Sequence, residues 1–152
     1  MRLADLLHAD RVTTSLQASD KNGVLHALAE LFARTSDLEA EEVFRVFADR
    51  ETLASTGVGS GVAIPHGRFA GIDRLQAALG IHRTGVAFEA VDGRPVHIFV
   101  AVLAPERQPS EHLKALARIS RVLRDDQVRR ALLEAEGPEQ AYERLVSQDL
   151  PR

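Results

Sequence analysis

Histidine is the residue type in this chain best suited to chemistry. There are six, and there is no cysteine. The missing cysteine excludes disulfides, thiolate nucleophiles and cysteine-ligated zinc. No two histidines have HxxxH spacing, and neither an HExxH motif nor a DxDxDG-type loop occurs, so no metal site is expected. His8 and His26 fall among charged neighbours on segments that read as helical. His82 and His97 fall in or beside apolar, strand-like stretches. Packing or solvation is role enough for these four. His66 differs. It follows Ile64-Pro65 and precedes Gly67, at the end of the stretch GVGSGVAIPHG over residues 57–67. Proline fixes the angle of approach, and glycine lets another group come close to the backbone. A histidine on such a corner is exposed, oriented and within reach of a partner. The N–H groups of Gly67 and Arg68 are candidate anion donors beside it.

Two more residues are candidates to converge on His66. His112 lies in the first turn of a helix that starts just after Pro109, where free N–H groups and the helix dipole favour a phosphate. Arg50 ends an earlier helix, shortly before the glycine stretch. Its guanidinium carries a permanent charge in a fork that matches phosphate oxygens. The glycines do not make a nucleotide loop: no Gly-Lys-Ser/Thr follows, and position 62 is not glycine, so GxGxxG spacing is not met. They read as structural glycines of a twisted or bulged strand.

The elements that position these residues follow from periodicity. Val24, Leu28, Leu31 and Phe32 recur at helical spacing behind a cap at Ser19 or Asp20. A second helix begins near Glu39 and buries Val43, Phe44 and Phe47. After the Leu-rich turn of Leu3, Leu6 and Leu7, residues 11–16 read as a short β-branched strand. Residues 75–82 and 96–103 are apolar and of strand length. The second, VHIFVAVL, is apolar at almost every position, as expected of a strand covered on both faces. Asp92-Gly93 marks a turn before it. Three helical stripes close the chain: Leu113, Leu116, Ser120 and Leu123; Val128, Ala131, Leu132 and Ala135; and Ala141, Tyr142, Leu145 and Val146. Lys114, Arg118 and Arg121 form a basic, solvated face on the first of them. Helices, then strands, then helices predict an α/β fold: one domain over residues 1–152, with a mixed β-sheet flanked by helices on both sides.

Composition narrows the class. At 152 residues the chain is one domain in size, and 45% hydrophobic with 27% charged residues argues against disorder. The formal net charge of −3 is unlike the basic footprint of a nucleic-acid binder. No apolar run approaches the ~20 residues of a membrane span. Asp5, His8 and Asp10 interrupt the N-terminal apolar stretch, so no signal peptide is expected and the cytoplasm is the expected compartment.

The segment STGVGSGVAIPHGR, residues 55–68, resembles the active-site motif of the enzyme IIA domains of the mannitol/fructose class in the bacterial phosphotransferase system. With Arg50-Glu51 ahead of it, the resemblance is greatest to the nitrogen-regulatory enzyme IIA. It extends through Asp92-Gly93, Pro95-Val96, Pro105 and Glu111-His112-Leu113. Ser60 departs from it, because regulatory members are expected to carry asparagine there. The resemblance implies that Nε2 of His66 accepts a phosphoryl group from a phosphohistidine on an HPr-like carrier, with His112 and Arg50 beside it. It implies no cofactor. A transfer between histidines is nearly balanced in energy and needs mainly positioning and charge stabilisation. The expectation is a nitrogen-regulatory phosphoryl carrier whose state is read by other proteins, such as a transporter or a kinase. One alternative is a fructose- or mannitol-type enzyme IIA that passes phosphate to a IIB domain. Another is a module that binds an anion or a protein without covalent change. Self-association into a homodimer is left open.

Overall fold

A computed structural model describes residues 1–149. The elements in order are α1 (Leu3–Leu6), β1 (Leu7–Thr13), α2 (Lys21–Arg34), α3 (Ala40–Glu51), β2 (Gly57–Gly59), β3 (Val62–Ala63), β4 (His66–Arg68), β5 (Gln76–Val86), β6 (Val96–Ala104), α4 (Pro109–Leu123), α5 (Asp126–Leu133) and α6 (Pro138–Ser147). The six strands make one mixed sheet in the order β1-β5-β6-β3-β2, with β4 also paired to β6. β5 and β6 run antiparallel; β1 lies parallel to β5, and both β3 and β4 lie parallel to β6.

The doubly covered strand explains the layers. Ile98, Val100, Val102 and Ala104 of β6 pack with α1, α4, α5 and α6. Phe99, Ala101 and Leu103 point the other way, into the layer of α2 and α3. Both faces are dry from Ile98 onward, so alternation disappears there and every position but His97 is apolar. The α/β fold with helices on both sides is as expected.

Three local readings are revised. The first strand begins at Leu7 rather than residue 11, because pairing to β5 starts with Leu7 opposite Ala77, directly after α1. It takes His8 with it, which is therefore on a strand and not a helix. The buried face of α4 is His112, Ala115, Ile119 and Leu123, while Leu113 is 68% exposed. The leucine stripe is thus one residue, about 100° of helix rotation, out of phase at 113, 116 and 120, and meets the buried face only at Leu123. Arg118 also leaves the solvated face: its Nε donates to Asp149 at 2.5 Å, and the Asp149 side chain is 5% exposed. Asp20 is the cap of α2, accepting from the N–H of Gly23 at 2.8 Å.

Candidate functional site

The register along β6 sets the direction of His66. Val62 lies opposite Ile98 and Ala63 opposite Phe99; His66 lies opposite Val102 and Gly67 opposite Leu103. The offset is the same before and after Pro65, so β3 and β4 are one strand whose ladder proline interrupts. Paired neighbours share a face. His66 therefore points with Val102 toward α4, and Gly67 points with Leu103 toward α3. The ring centroids of His66 and His112 are 5.5 Å apart, with their planes at 72°.

The tautomer of His66 follows from one bond. Its Nδ1 lies 2.8 Å from the Ile64 carbonyl oxygen. A carbonyl can only accept, so Nδ1 carries the hydrogen and Nε2 keeps the lone pair. The ring is half-buried rather than fully exposed as the corner suggested. Burial holds its pKa below the ordinary imidazole value. The Ile64 carbonyl and Glu51 pull it up, and the Arg50 charge pushes it further down. A depressed pKa keeps the ring neutral near pH 7, the form that can attack an electrophile.

His112 is 7% exposed, and its Nε2 has no hydrogen-bond partner among the described residues. Burial lowers its pKa to about 4, with the charges of His66 and Arg68 acting in the same direction. An unpartnered buried nitrogen is costly. A phosphoryl oxygen entering beside His66 is a suitable partner for it.

His66 and His112 share a cleft of about 570 Å³ with Arg50, Arg68, Asp49, Val46, Leu53 and Leu113. Arg50 stands at the end of α3, where its Nη1 donates to the Ala54 carbonyl at 2.9 Å. Nε and Nη2 have no protein acceptor among the described residues. The expectation of paired Gly67 and Arg68 amide donors narrows. Val102 N–H donates to Pro65 O, and Phe69 N–H to Ala104 O. The alternation between them turns the Gly67 N–H toward β6 and the Arg68 N–H away from it. Gly67 contributes space instead, since α3 packs directly over it.

Sequence reasoning missed two features. Leu53 is 80% exposed and Leu113 68% exposed, and both line the cleft. Only the polar residue at 112, one place before Leu113, hinted at the helix phase that exposes Leu113. Glu51 is also buried behind the site, with its side chain 4% exposed; the sequence carries it only within the Arg50-Glu51 match, with nothing to mark its burial. Three of the other four histidines are engaged elsewhere, and His8 is exposed: His26 stacks on Phe44 at 3.6 Å between centroids. His82 Nε2 donates to Ala18 O at 2.7 Å, and His97 Nδ1 donates to His82 O at 3.1 Å.

Residues 5–148 match the family model described as phosphoenolpyruvate-dependent sugar phosphotransferase system, EIIA 2. A nitrogen regulatory protein from Bradyrhizobium diazoefficiens is 34% identical over 146 residues, covering 96% of this chain and 95% of that protein. The fructose-specific EIIABC component of Bacillus subtilis is 31% identical, but the match spans only 22% of its length. The crystal structure of nitrogen regulatory protein IIA-Ntr from Neisseria meningitidis superposes with a TM-score of 0.88 at 31% identity, covering 94% of this chain and 98% of that one. The IIA mannitol structure from Escherichia coli shares the fold, with a TM-score of 0.76 at 20% identity. The chain therefore belongs to the EIIA 2 family of the phosphotransferase system, a family of phosphotransferases that carry the phosphoryl group on histidine.

Proposed function

We propose that this protein is a phosphoryl carrier of the nitrogen-regulatory branch, loaded at His66 by the phosphohistidine of an HPr-like carrier. The observation that carries the reading is the bond from His66 Nδ1–H to Ile64 O. It leaves the Nε2 lone pair as the ring's nucleophile in a cleft that also holds Arg50 and His112. In the step, the Nε2 lone pair forms a bond to phosphorus. The donor's P–N bond breaks, and its electron pair returns to the donor ring. The new N–P bond puts positive charge on the His66 ring, and the Ile64 carbonyl stabilises it through Nδ1–H. Arg50 and the Arg68 N–H steady the equatorial oxygens. His112 gives its Nε2–H to one of them.

The regulatory role is supported by the likeness to nitrogen regulatory proteins over nearly the full length of both chains. Leu53 and Leu113 at the cleft rim are an apolar surface on which the donor can dock. The deciding experiment mixes the protein with phosphoenolpyruvate, enzyme I and an HPr-like carrier, then adds a fructose- or mannitol-type IIB domain. The regulatory reading predicts phosphoryl uptake and slow, incomplete transfer to IIB. Rapid complete transfer supports the sugar-specific role, and no uptake contradicts both.

A further inference from the structure

A buried carboxylate behind the site is connected to His66 by an unbroken series of hydrogen bonds. Glu51 is the last residue of α3, and its side chain is 4% exposed. Lys21, the first residue of α2, meets Glu51 Oε1 at 2.9 Å. Lys21 Nζ also lies 3.1 Å from Glu89 Oε1 and 4.8 Å from the centre of the Phe88 ring. The Glu51 carboxylate accepts the Thr56 N–H at 3.0 Å and the Thr56 hydroxyl. Thr56 is 4% exposed. The Thr56 carbonyl accepts the Ile64 N–H at 2.9 Å. The Ile64 carbonyl accepts His66 Nδ1–H at 2.8 Å.

We infer that Glu51 and Thr56 are positioning residues for His66: through Thr56 O and the Ile64 peptide they hold the carbonyl that keeps the hydrogen on Nδ1. This deepens the proposed function and rests on it for its consequence in phosphoryl uptake. The physical reason is that Ile64 is held through both of its backbone polar groups. Its N–H is fixed by Thr56 and its C=O faces the imidazole. Ile64 precedes Pro65, so the following peptide has no N–H with which to compete for the bond. Thr56 cannot move while its N–H and hydroxyl both bind a carboxylate that is itself fixed by Lys21. Loosening that carboxylate frees the carbonyl to rotate, and the ring then also populates the tautomer with the hydrogen on Nε2. That tautomer has no lone pair at the reacting nitrogen. Partners one shell removed from the reacting atom commonly change activity by about 10- to 100-fold in metal sites, through the same control of imidazole orientation and tautomer.

The test compares Glu51→Gln, Thr56→Val and Thr56→Ser. Imidazole 15N chemical shifts of His66 in the unphosphorylated protein report the tautomer, and phosphoryl uptake from the HPr-like carrier reports function. Glu51→Gln and Thr56→Val are expected to keep the fold, lower the Nδ1–H share and slow uptake about tenfold. Thr56→Ser keeps the hydroxyl and is expected to match the parent in both readings. Unchanged tautomer shares in folded Glu51→Gln and Thr56→Val overturn the inference. Should Glu51→Gln fail to fold, the Val and Ser pair at position 56 decides alone. A shifted tautomer share in the variants, with no uptake even by the parent, leaves the positioning role standing and refutes the phosphoryl-carrier reading instead.

Discussion

Gly67 lies directly beneath Val46: a Cβ built on Gly67 would come within 2.3 Å of Val46 Cγ1. Gly67 is therefore glycine because α3 crosses the strand that carries His66, and that crossing brings Arg50 to the cleft. Gly67→Ala pushes the helix away at the price of packing, about 1–3 kcal/mol of stability for an overpacked site. It also moves Arg50 from His66 and slows phosphoryl uptake. Chemical denaturation and an uptake assay check both effects. Adding Val46→Ala removes the colliding methyl and is expected to recover part of each.

The hairpin leading into the site carries a backbone cost at Ser60. Ser60 and Gly61 have φ of +58° and +78°, the pattern of a type I′ turn. Serine is poorly suited to a left-handed position, and asparagine tolerates it. The Ser60 N–H is held by Asp92 Oδ2 at 3.0 Å, a backbone bond that any residue here retains. Ser60→Asn is expected to raise stability by about 0.5–1 kcal/mol, read as a higher denaturation midpoint with unchanged phosphoryl uptake.

His112 makes the fold sensitive to acid. Its pKa falls from 6.5 to about 4 on folding, chiefly by burial. The unfolded chain then binds more protons than the native one between these values. Stability is complete above about 6.5 and is lost as pH falls toward about 4, by an amount on the order of 2 kcal/mol. His66, also depressed, acts in the same direction. Denaturation midpoints at pH 7 and pH 4.5 measure the loss, and His112→Gln is expected to shrink it. Phosphorylation places negative charge beside His112 and raises its pKa, which NMR titration of the loaded protein detects.

Arg50 has one protein hydrogen-bond acceptor among the described residues, the exposed carbonyl of Ala54. Removing it costs little stability, below about 1 kcal/mol. In the proposed transfer its permanent charge beside the reacting oxygens is worth far more in the transition state. Arg50→Ala is expected to slow phosphoryl uptake about 100-fold with an unchanged denaturation curve. Arg50→Lys restores charge but not the fork, and should recover only part of the rate.

The sequence carries the layers of this fold openly, and the site only in part. VHIFVAVL announces a strand buried on both faces because nothing polar follows His97 within it. Ser19-Asp20 announces the start of α2, with the structure choosing Asp20 as the cap, and the Pro-His-Gly corner announces His66. The phase of α4 is hidden, because the position facing the sheet is held by His112 and the leucine beside it is free for the cleft rim. The ladder role of Gly67 and the burial of Glu51 are hidden too. Both depend on what crosses them in space: β6 and α3 over one, Lys21 and Thr56 around the other.

The account stands on a phosphoryl group bound to one nitrogen of one ring. The direct measurement is mass spectrometry of the protein after incubation with phosphoenolpyruvate, enzyme I and the HPr-like carrier, under conditions that preserve acid-labile P–N bonds. A gain of about 80 Da, one phosphoryl group, located on His66 and lost in His66→Ala, is the predicted result. Full labelling of His66→Ala, or a phosphoryl group located on any other residue of the parent chain, contradicts it.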